Sequence, residues 1–189
     1  MNRLPKVIRF TRDLGWMVGL VVAMALAFAL YVWAEKQIDQ ANAQRYQAFL
    51  LADELRQSSD DLTRMVRTYV VTGDPVYKQH FQDIMDIRDG RKPRPERYHQ
   101  IYWDLMLADG PPPRPASPQT LPLLTLMRQA GFTDAEFHTL AEAKAQSDAL
   151  TATEFTAMKL AEATGPQAEA DRAKARLLVH DEHYHRTKA

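Results

Sequence analysis

The chain has 189 residues, room for one domain of moderate size and a membrane anchor. Its 24 basic and 24 acidic side chains cancel, so no global field points to nucleic acid. The absence of cysteine excludes a disulfide framework and thiolate metal or redox chemistry, and leaves the compartment open.

Ala, Leu, Gln, Glu, Lys and Arg are abundant and Gly is scarce, which favours helix. No strand-like alternation extends beyond a few residues. The expected fold is all-α: one N-terminal transmembrane helix continuing into an elongated periplasmic domain like a four-helix bundle, with a proline-rich excursion. The expected division is an N-terminal segment (1–13), a transmembrane helix (14–34) and an outer helical domain (35–189).

From Leu14 to Ala34, "LGWMVGLVVAMALAFALYVWA" carries no charge. At ~1.5 Å per residue it reaches roughly 32 Å, about one hydrocarbon core. Trp16 lies near one end and Tyr31 and Trp33 near the other, as an aromatic belt places them. A cleavable signal peptide is the rival reading, but its apolar core is shorter and a small-x-small site follows it. Arg3, Lys6, Arg9 and Arg12 against Asp13 put the N-terminus in the cytoplasm and everything after Ala34 outside. Gly15 and Gly19 form a small-xxx-small pair through which two anchors could pack as a homodimer.

Beyond the anchor, Ala41, Arg45, Ala48, Ala52, Leu55, Ser59, Leu62, Val66 and Tyr69 recur at helical spacing. Gly73 suits a left-handed stop, Asp74 an N-cap and Pro75 a first helical position, so "TGDP" reads as a reversal. A second helix turns Tyr77, Phe81, Ile84 and Ile87 or Arg88 inward and ends near Gly90. "RKPRPERY" is extended by its prolines, "YHQIYWDLM" reads as a short aromatic helix, and "DGPPPRPASP" as a surface loop. "QTLPLLTLMRQAGF" is a short helix closed by Gly131. Thr133 with Glu136 makes a capping box, and Phe132 with Phe137 a hydrophobic staple. That helix runs to about Ala163 and stops at Gly165–Pro166. The last helix starts near Gln167, admits a break at Asp181, and is too short to return to the membrane. The expectation is a chain cut before a second membrane helix, or a free end.

From Leu51 to Ala189 the segments "LADELRQSSDDLTRMVRTYVVTGDPVYKQHFQDIMDIRDGRKPRPERYHQIYWDL", "MRQAGFTDAEFHTLAEAKAQSDALTATEFTAM" and "LLVHDEHYHRTKA" resemble the extracytoplasmic sensor region of bacterial transmembrane signalling receptors. Such regions precede histidine-kinase, diguanylate-cyclase or chemotaxis-transducer modules. The resemblance implies helical structure and a sensing role, with no particular ligand, cofactor or output.

Ser58 and Ser59 fall on the inward helical face, and Ser147 and Glu154 on the seam of a later helix. Groups buried there need hydrogen bonds, from a small polar ligand, from water, or from carbonyls one turn back. Asp60, Arg64 and Arg67 share another face; Asp60 and Arg64 are i,i+4 partners, and Arg67 is the candidate for an anionic ligand. Tyr98, Tyr102 and Trp103 cluster near Arg91, Lys92, Arg94 and Arg97, as a cap on the bundle or a lid over a pocket. His180 and His183 share a helix face near Asp181 and Glu182 without His185, which reads as a solvated face before a zinc site. No cofactor or metal is expected. No phosphate loop, HExxH motif or nucleophile elbow supports an enzyme in this segment.

The expected function is signal input: detecting a small molecule or a periplasmic protein and passing a helix shift across the membrane. The alternative is a stand-alone membrane-anchored interaction protein with no output domain.

Overall fold

In a computed structural model, residues 4–106, 110–118 and 120–188 are described, with the backbone alone for 4–11. The charges expected of Arg3, Lys6 and Arg9, and the positions Asp109, Gln119 and Ala189, lie outside the described residues and side chains. Among the described residues the protein is all-helical and has no strand. The helices are α1 (Leu4–Thr72), α2 (Pro75–Arg88), α3 (Leu123–Gln129), α4 (Asp134–Ala161), α5 (Ala168–Leu178) and α6 (Glu182–Lys188).

The chain divides into two units, Met1–Tyr46 and Gln47–Ala189. In the first, the described large apolar side chains from Leu14 to Trp33 are exposed, apart from half-buried Val32. This helix is long and apolar enough to cross a membrane.

The second unit holds the core. Leu62, Met65, Val66, Tyr69 and Val70 of α1 meet Phe81, Ile84 and Ile87 of α2. Leu150, Ala157 and Met158 of α4, Ala175 of α5, Val179 at the C-cap of α5 and Tyr184 of α6 join it, with Tyr98, Tyr102 and Trp103 from the segment after α2. A smaller cluster joins Leu55 to Leu123 and Met127, with Phe132 and Phe137 against it, so the two staple residues share one apolar surface. Of the expected seam, Leu55, Leu62, Val66 and Tyr69 are buried, whereas Ala41 and Arg45 are exposed.

The turns follow local chemistry. Gly73 adopts φ +69° and donates to the Tyr69 carbonyl at 2.8 Å. Asp74 then caps α2 by accepting from the Val76 amide at 3.0 Å, with Pro75 in the first turn. Both Ile87 and Arg88 are buried. The Thr133–Glu136 capping box is present in both directions. The last helical stretch is broken into two, because Asp181 accepts from the Tyr184 amide at 2.7 Å and so caps α6.

One expectation is corrected. Residues 98–106 form turns and a single 3-10 turn at Trp103–Leu105, not an aromatic helix. On a helix, Tyr98 and Tyr102 share a face but Trp103 lies about 100° away. The irregular path, entered through Arg97 at φ +51°, buries all three rings together with edge-to-face packing. The proline-rich stretch is strapped to this segment: the Glu96 amide donates to Pro115 O at 2.9 Å and the Ser117 amide to Arg94 O at 2.7 Å.

Candidate functional site

Ser58 and Ser59 are neighbours on α1 with different fates. Buried Ser58 donates its hydroxyl to the Leu55 carbonyl at 2.8 Å, one turn back. Its polarity is thereby spent on the backbone. Ser59, about 100° further round the helix, is half-buried and faces α6. Lys188 donates to its carbonyl at 2.8 Å and to its Oγ at 3.1 Å. The same ammonium lies 3.1 Å from Asp60.

Ser59 lines a groove of about 410 Å³, within the usual range for small-molecule sites. Helix α1 supplies Ala52, Leu55, Arg56, Ser59 and Asp60. Leu140, Ala143, Gln146, Ser147 and Leu150 come from α4, and Thr187 and Lys188 from α6. The fold thus brings Ser59 and Ser147 to one apolar-floored cleft. Ser147 is oriented from behind by Arg88, whose side chain is 1% exposed. Arg88 Nη1 donates to Ser147 Oγ at 3.0 Å and Nη2 to Asp148 at 2.6 Å. Lys144 bridges Asp148 and Asp89 at 2.7 and 2.8 Å. Arg88 belongs inside because its two ends are held by α4, though Nε has no hydrogen-bond partner among the described residues.

Glu154 is not on the groove wall. It is buried in the core, where Tyr184 donates to it. Burial raises its pKa, against the Tyr184 hydrogen bond and the positive charges of Lys188, Arg88 and Arg67. Arg67 donates from Nε to the Val179 carbonyl at 2.8 Å and its guanidinium lies 5.3 Å from the Tyr184 ring centre. It joins α1 to the α5–α6 break and lines a separate, shallow cavity of about 360 Å³. The expected Asp60–Arg64 pair is replaced. Asp60 binds Arg56 at 3.0 Å, and Arg64 binds Asp61 at 2.7 Å and Asp104.

Trp103 Nε1 donates to the Tyr98 hydroxyl at 2.9 Å. These rings join the main core and are not on the groove. Tyr98 lines another cavity, of about 480 Å³, beside Glu54 and Arg94. Trp103 lines a third, of about 330 Å³, against the proline strap.

Several residues carried little signal in the sequence. Lys188 and Arg56 are two of many surface cations until α6 folds against α1. Glu54 and Arg94 form a buried pair, with Glu54 Oε1 3.1 Å from Arg94 Nη2. That approach is a charge contact and not an aligned hydrogen bond, since Arg94 Nε and Nη2 have no hydrogen-bond acceptor among the described residues. Burial pushes Glu54 up to about 7, against the pull of Arg94. Its helical phase with Ser58, Asp61 and Met65 is the clue that could have found it.

His180 Nδ1 is 2.8 Å from the Arg176 carbonyl, and His185 Nε2 is 3.5 Å from Arg67. Among the described residues no three His, Asp or Glu side chains gather closely enough to hold a metal ion. The chain matches no protein-family model, no curated protein and no solved structure.

Proposed function

We propose that the protein is the signal-input region of a bacterial membrane receptor. In this reading the apolar helix is an inner-membrane anchor and residues 35–189 form a periplasmic sensor resembling a four-helix bundle. One observation carries it. Ser59 and Ser147, polar groups on helical seams far apart in sequence, line the same apolar-floored groove.

The groove wall is built partly from α1, the helix whose earlier residues form the apolar stretch. A ligand that touches α1, α4 and α6 together has differential contacts with any two arrangements of those helices. That is the requirement for a ligand to bias a helix shift. The exposed apolar surface around Gly15 and Gly19 supports insertion in lipid and pairing as a homodimer. The segment itself performs no catalysis in this reading.

The test is a melting-temperature screen of the full chain in lipid nanodiscs against water-soluble small metabolites. The companion variant is Ala143→Trp, which fills the groove from an exposed position. A sensor of this kind gives at least one stabilising ligand, with the shift lost in Ala143→Trp. If no ligand shifts the wild type, or the variant responds equally, the groove is not the sensing site.

A further inference from the structure

The hydrogen-bond account of the groove names a class of ligand. A serine hydroxyl has one proton to give and two lone pairs to receive. Ser147 Oγ receives from Arg88 and Ser59 Oγ receives from Lys188. Neither hydroxyl gives its proton to any group among the described residues. Other helix hydroxyls behave differently: Ser58, Thr68 and Thr151 each donate to a carbonyl one turn back. A cation donating into a hydroxyl oxygen polarises it and strengthens its own O–H as a donor.

Arg56 adds to the surplus. Of its five N–H groups, Nε and one on Nη2 reach Asp53, and one on Nη1 reaches Asp60. Two remain unspent. Lys188 donates to Ser59 O and Ser59 Oγ and makes a charge contact with Asp60. Formal charge on this wall is balanced, because Asp53 and Asp60 answer Arg56 and Lys188. What the wall offers is uncommitted donors: the Ser59 and Ser147 protons and two N–H groups of Arg56. The same groove offers Leu55, Leu140 and Leu150 as apolar surface.

We propose that the groove binds a small amphipathic carboxylate. Its apolar body lies on the leucines, and its carboxylate faces the wall of Ser59, Ser147 and Arg56. A carboxylate is acceptor-only and takes charge-assisted hydrogen bonds from such donors. An ammonium head meets these same donors, and the carboxylate on the wall, Asp60, is already engaged by Arg56 and Lys188. The inference rests on the groove being the ligand site.

The experiment is calorimetric titration of the full chain in nanodiscs, with empty nanodiscs subtracted. The probes are phenylbutyrate, phenylbutylamine, phenylbutanol and acetate. Phenylbutyrate is expected to bind about tenfold or more tightly than the amine or the alcohol. Acetate, which has no body to bury, is expected not to bind. Ser59→Ala and Ser147→Ala are each expected to weaken phenylbutyrate about tenfold, and Ser58→Ala to leave it unchanged. Ser147→Ala also strips Arg88 of a partner, so Ser59→Ala is the cleaner variant.

Equal or tighter binding of the amine or the alcohol overturns the carboxylate assignment and leaves the groove as a site. The same holds if phenylbutyrate fails while another ligand is lost on Ala143→Trp. Phenylbutyrate binding that survives Ala143→Trp overturns the assignment and the groove together.

Discussion

Tyr184 donates its hydroxyl proton to Glu154 across 2.5 Å, tying α6 to α4 inside the core. Both side chains are 1% exposed. Removing the donor leaves a buried carboxyl short of a partner, which costs roughly 1–3 kcal/mol. Tyr184→Phe is therefore expected to lower the urea midpoint of the full chain in detergent. Glu154→Gln in the same background should cost less than the sum of the two single changes, since the groups are coupled. A Tyr184→Phe protein as stable as wild type would show that this bond contributes nothing.

Glu54 sets a pH dependence. Its carboxyl holds its proton up to about pH 7 when folded, against 4.5 as the ordinary value. Between those values the folded state binds more protons than the unfolded one. Stability is thus kept below the unfolded value and falls as pH rises through the folded one, by up to ~3 kcal/mol in total. Asp61, pushed up to about 6 by burial, adds a second decline at slightly lower pH. Denaturant titrations from pH 4.5 to 7.5 should show a shallower decline in Glu54→Gln than in wild type. Parallel curves would mean that Glu54 is ionised throughout.

Gly90 has no room for a side chain. It sits at φ +69°, and an added Cβ would meet Pro122 N at 2.5 Å and Leu121 C at 2.7 Å. Both are backbone atoms, so α2 and the segment leading into α3 must separate. Gly90→Ala should cost roughly 2–4 kcal/mol. Gly131→Ala, with φ +84° and open space around the position, carries backbone strain alone and should cost less. Equal losses in thermal unfolding would remove the close approach as the cause.

The orientation of the anchor can be read with reporters. The basic residues before Leu14 predict that residues after Glu35 are outside the cytoplasm. Alkaline phosphatase fused after Arg56 should be active in a bacterial host, and a cytoplasmic reporter at the same site silent. The reverse pattern inverts the topology.

Gly15 and Gly19 make no contact that a methyl group would disturb within one chain. Replacing both with Ile should leave monomer stability unchanged and reduce cross-linking of the full chain in membranes. Unaltered cross-linking would exclude this pair as the packing face.

Much of the backbone was legible because its determinants are local. An uncharged run from Leu14 to Ala34 makes an apolar helix without help from the rest of the chain. Gly73, Asp74, Pro75, Thr133 and Glu136 act on residues within one turn, so their effects survive in the fold as expected. The spacing of Leu55, Leu62, Val66 and Tyr69 likewise marked the buried face of α1. What the sequence could not decide was who meets whom across space. Helical phase put Ser58 and Ser59 on the same inward face, yet one is spent on Leu55 and the other is open to the groove. That difference depends on where α6 carries Lys188. Arg88, Ser147 and Asp148 are ordinary polar residues until α2 lies against α4. The three aromatic rings of residues 98–103 abandoned helical geometry because burying all of them outweighed local hydrogen bonding. Charge pairing and groove formation are set by the packing of helices, a long-range balance of burial and donor satisfaction that no short window of sequence contains.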